Sequence, residues 1–92
     1  MIIRIMGQGQ YRVKSSLFDD LNAIDNKIVG YVQKGDEKGY KKSLAELIGM
    51  ILRDGKVVPS KDLVESDIIV PPVDMTLEEA RQVFRGQGIF QG

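Results

Sequence analysis

Residues 17 to 52 carry two apolar stripes at helical spacing with only Gly35-Asp36 between them, and this junction leaves the chain few ways to fold. In the first stretch Leu17, Leu21, Ile24, Ile28 and Val32 recur at intervals of three and four, with Phe18 and Tyr31 beside them. In the second, Tyr40, Leu44, Leu47, Ile48, Ile51 and Leu52 do the same until Asp54-Gly55 ends the pattern. Glycine suits the position just past a helix, and aspartate the position that opens the next one. So short a link therefore folds the helices back as an antiparallel hairpin. Ser15 or Ser16 is the expected N-cap of the first helix, with Asp19 and Asp20 behind it at the positive helix end. Gly30 lies five residues before the turn and Tyr40 five after it, a spacing that places the Tyr40 ring over the gap Gly30 leaves.

Each helix has one apolar face to bury, and both ends of the chain offer cover. Residues 2 to 6 and 11 to 13 are β-rich, with Gly7-Gln8-Gly9-Gln10 between them, and read as an opening β-hairpin. Alternation puts Ile3 and Ile5 on one face and Arg4 on the other. Beyond Gly55, Val57-Val58-Pro59 is a short extended piece and residues 61 to 66 a polar turn. Residues 68 to 70, Ile-Ile-Val before Pro71-Pro72, make a third strand able to pair with the hairpin. Thr76-Leu77-Glu78-Glu79 is a capping box that opens a last helix over about 77 to 85, and Ile89 and Phe90 of the tail are expected to dock on the body. The expected fold is α+β: an N-terminal β-hairpin plus a short third strand packed on an antiparallel helical hairpin, with a short C-terminal helix, in one domain over 1–92. Ile3, Ile5, Leu21, Ile24, Ile28, Leu44, Leu47 and Ile51 are its expected core.

With 92 residues, a deep and dry active site is hard to build. The chain has no Cys and no His, so disulfides, the usual zinc ligands, cysteine nucleophiles and the commonest general base are all missing. No catalytic, cofactor or metal residue is assigned, and the reading is a binding protein rather than an enzyme. The apolar start, Met1 to Met6, is interrupted by Arg4 and stops at Gly7, too short for a secretory signal or a membrane span, which points to a cytoplasmic protein.

Thirteen basic and thirteen acidic side chains cancel, yet their distribution is uneven. Residues 1 to 14 hold Arg4, Arg12 and Lys14 with no acid, whereas residues 54 to 79 hold seven acids against Lys56 and Lys61. Tyr11 sits among the three cations. Single-stranded nucleic acid could stack there, so a small nucleic-acid-binding regulator using the basic hairpin is the alternative function, although zero net charge argues against a dedicated nucleic-acid binder.

The block Met1-Ile2-Ile3-Arg4-Ile5-Met6-Gly7-Gln8-Gly9-Gln10-Tyr11-Arg12-Val13, followed by Leu21-Asn22-Ala23-Ile24-Asp25-Asn26, resembles the PspA-associated protein family, PspAA. The similarity continues through residues 63 to 72 and Thr76-Leu77-Glu78-Glu79-Ala80, so it covers nearly the whole chain. The resemblance implies a small, non-enzymatic cytosolic accessory of prokaryotes that binds or regulates PspA, the coiled-coil phage-shock protein that protects stressed membranes. It implies contact with the membrane only through PspA, and it carries over no catalytic residue. Because it also implies a partner rich in exposed Glu, the complementary contacts here are Arg4, Arg12 and Lys14, with Tyr11 as an amphipathic anchor at the rim. The oligomeric state is left open.

Overall fold

The computed structural model describes residues 1–59, 61, 62 and 64–84. Two strands, β1 (Ile2–Ile5) and β2 (Gly9–Arg12), form the expected antiparallel hairpin. The turn closes early: the Gln8 amide donates to Ile5 O at 2.9 Å, and Gly7 takes φ 86°. The second strand therefore starts at Gly9 rather than at Tyr11. After Val13 the chain enters α1 (Phe18–Lys34) through a 3-10 turn over Ser15–Leu17. Neither serine caps this helix. Leu17 already has helical angles, and the Phe18 amide donates to the Ser15 carbonyl, so backbone satisfies the donor that a serine hydroxyl was expected to take.

The helical junction forms as the sequence requires. Gly35 has φ 73°, a left-handed conformation that glycine adopts without a Cβ penalty. Asp36 then opens α2 (Glu37–Asp54), its carboxylate accepting from the Gly39 amide at 3.0 Å. The ring expected over Gly30 is elsewhere: nothing lies within 4 Å of where a Gly30 Cβ would be. The close approach falls one residue inward on both helices, where a Cβ on Gly39 would stand 2.5 Å from Cδ1 of Tyr31. Rotation about the helix axes, which counting from the turn ignores, decides which glycine meets which ring.

Two more strands complete the sheet, and one of them was legible only as an extended piece. β3 (Lys56–Val58) pairs antiparallel with β2, and β4 (Ile68–Val70) pairs parallel with β1, giving the order β3-β2-β1-β4. The short α3 (Leu77–Val83) carries its capping box in full: Glu79 N donates to Thr76 Oγ1 at 3.2 Å, and Thr76 N donates back to a Glu79 carboxylate oxygen at 3.1 Å. These bonds from Thr76 hold the Glu79 carboxyl below its ordinary range. The expected end of this helix at 85, and the docking of Ile89 and Phe90, lie outside the described residues.

Both main helices pack on one face of the sheet. Ile3, Ile5 and Val70 from the strands meet Leu21, Ile28, Leu44, Leu47 and Ile51 in one cluster, all fully buried, and Ala80 of α3 and Phe84 just past its end close it. Every expected core residue is in it. Tyr40 is buried there too, its hydroxyl donating to Met75 O at 2.8 Å, and burial with the nearby Glu79 carboxylate pushes its pKa up to about 12.

Candidate functional site

Strand alternation divides the sheet residues between two faces, and the face opposite the helices holds most of the candidate cations. In register, Arg4 stands between Gln10 on β2 and Ile69 on β4, while Arg12 stands between Ile2 on β1 and Lys56 on β3. All of these share the outer face. Arg4, Arg12 and Lys56 are exposed. Tyr11 points the other way, half-buried against the core and in register with Val57 at the β3 edge.

The outer face is not bare. The chain from β3 must reach β4 across two intervening strands, and it does so over this side. Gln10 Nε2 donates to Val64 O at 3.0 Å and to Ser66 Oγ at 2.7 Å, fixing the crossover above β2. The crossover then descends beside β1, where the Ile2 amide donates to an Asp67 carboxylate oxygen at 2.7 Å and the Asp67 amide donates to Ile2 O at 2.8 Å. Ile2 and Val58, which lie on this face and outside the main core cluster, are buried.

This strap separates the cations into two corners. At one corner Arg4 stands beside two exposed apolar side chains, Ile69 at 54% and Met6 at 49%, the latter continuing β1 through its amide bond to Val70 O. At the other corner Arg12, Lys14 and Lys56 line a cleft of about 380 Å³ together with Asp54. Among the described residues no ion pair reaches Arg4, Arg12, Lys14 or Lys56.

Lys56, Met6 and Ile69 were not singled out in the sequence. Lys56 joins the site only because β3 pairs with β2, and Val57-Val58 was the sole hint of that strand. Met6 and Ile69 read as members of apolar strands, whose outward side is revealed only by knowing which face the helices occupy.

Among the described residues no three His, Cys, Asp or Glu side chains gather where a metal could sit, and no helix is long and apolar enough to cross a membrane. A family profile described as PspA-associated protein matches residues 1–92, the whole length of the chain. No curated protein and no solved structure matches it at a significant level.

Proposed function

The chain belongs to the PspA-associated protein family, and from that premise we propose that it is a non-enzymatic accessory that binds PspA with the outer face of its sheet and regulates it. The observation that carries this reading is the pair Arg4 and Arg12, exposed on the face no helix covers and without carboxylate partners among the described residues. A coiled coil with a Glu-rich surface supplies the missing charge. Arg4, Arg12 and Lys14 speed the encounter, Met6 and Ile69 hold the complex, and Tyr11 reaches it only at the rim beside Val57. The protein works on the cytoplasmic side and meets the membrane through PspA.

Capture of purified PspA on the immobilised chain, over a salt series, tests this. Affinity is expected to fall with salt without vanishing, because apolar contacts are not screened. Arg4→Glu with Arg12→Glu is expected to weaken capture strongly while leaving the thermal midpoint nearly unchanged, since exposed charges contribute little to folding. Undiminished capture by the double variant would move the interface off this face, and no capture by the parent would end the proposal.

A further inference from the structure

The corner where Arg12, Lys14 and Lys56 meet is electrostatically unbalanced. Arg12 and Lys56 are direct cross-strand partners, an arrangement of like charges that destabilises a sheet. Lys14 adds a third cation to the same cleft. Asp54 lines it as well, but both of its carboxylate oxygens are engaged by Arg53, at 3.3 Å from Nε and 3.1 Å from a terminal nitrogen. Three cations thus line one concavity, and among the described residues none of them is ion-paired.

Shape adds to charge. The cleft's volume, about 380 Å³, lies at the small end of the range typical of small-molecule sites and exceeds what an inorganic anion needs. Its lining is not wholly polar: Met1 gives it an apolar wall and Ser15 adds a hydroxyl, while Val13 borders it with its side chain buried in the core. A second hollow of about 250 Å³, which shares Lys14 and Asp54, adjoins it.

We propose that this cleft binds a phosphomonoester, with the dianionic phosphate held by Arg12, Lys14 and Lys56 and its organic part against Met1. Arginine presents a planar fork that matches two phosphate oxygens, and the lysines act as flexible point charges beside it. A dianionic phosphate answers more of the three cations lining the cleft than a single carboxylate does. The site shares Arg12 and Lys14 with the proposed PspA contact but needs neither Arg4 nor its apolar neighbours, and Lys56, which that contact does not use, tells the two apart.

The test is titration of the full chain with phenyl phosphate, followed by amide NMR at constant ionic strength with chloride as the balancing anion. Saturable shifts are expected at residues 12 to 15 and at Lys56. Lys56→Gln should weaken binding about tenfold, the loss of one charge-assisted contact, whereas Lys42→Gln on α2 should leave it unchanged. In phosphate-free buffer Lys56→Gln should melt no lower than the parent, because it relieves the repulsion with Arg12. A parallel sedimentation arm with phosphatidic acid vesicles separates the sources. Co-sedimentation that Lys56→Gln abolishes assigns the phosphate to a lipid headgroup, and saturable shifts without co-sedimentation assign it to a soluble ligand. Shifts that chloride reproduces, equal binding by Lys56→Gln, or no response in either arm would overturn the proposal.

Discussion

Tyr40 joins the helical hairpin to the segment before α3 through one hydroxyl, and its titration should be visible in stability. Its pKa is raised from 10.0 to about 12, first by burial and then by the Glu79 carboxylate. The folded state therefore holds the phenolic proton more tightly than the unfolded chain does. That contribution is fully present below pH 10 and is lost as pH rises through about 12, with a ceiling of roughly 2 to 3 kcal/mol. Tyr40→Phe should cost about 1 kcal/mol at neutral pH, where the bond to Met75 O is lost. It should also flatten the alkaline decline, so that parent and variant urea midpoints converge as pH rises. A constant difference between them up to pH about 11.5 would show that the hydroxyl titrates alike in the folded and unfolded chains and that folding does not raise its pKa. Residue roles of this kind were legible where local spacing sufficed: Asp36 and the pair Thr76 and Glu79 cap as their sequence context demands. Ser15 and Ser16 carry the same signal, but the 3-10 turn places backbone where their hydroxyls would act.

The two helices of the hairpin turn on contacts that propensity does not see. Gly30 and Gly39 cost their helices alike, yet only Gly39 lies against a ring, with Cδ1, Cε1 and Cγ of Tyr31 all closer than 3.0 Å to a virtual Cβ. Gly30→Ala should therefore raise stability by about 0.5 to 1 kcal/mol, and Gly39→Ala should lower it by about 1 to 3 kcal/mol as Tyr31 is forced aside. Opposite shifts in the thermal midpoint are the expected result, and a gain from both would mean that the Tyr31 ring moves away freely. Element boundaries followed from periodicity for α1 and α2, where many turns repeat one pattern. β3 escaped because three residues, Lys56-Val57-Val58, are too few to show alternation, and its partner β2 lies more than forty positions away in the chain.

Every helix and all the strands but β3 meet at one core, so damage at its centre should be felt widely. Leu47 is fully buried in it. Leu47→Ala should cost roughly 2 to 5 kcal/mol against the 5 to 15 kcal/mol typical of a domain. An unmoved urea midpoint would mean that this face of α2 does not support the fold. The α+β architecture was legible because apolar periodicity reports burial directly. The candidate site was legible as charge but not as geometry: Arg4, Arg12 and Lys14 stood out as a run of cations, while the strap that parts them and the lysine that joins them arise from long-range pairing. The same pairing sets an order in time. β1 leaves the ribosome among the first residues of this stretch, yet one of its two neighbours, reached through Ile2 and Asp67, follows 65 residues later. At about 5 to 20 residues per second of synthesis, that strand waits roughly 3 to 13 seconds with one side open. The helical hairpin, whose contacts are local, can form in the interval and shelter Ile3 and Ile5 from wrong partners until β4 arrives.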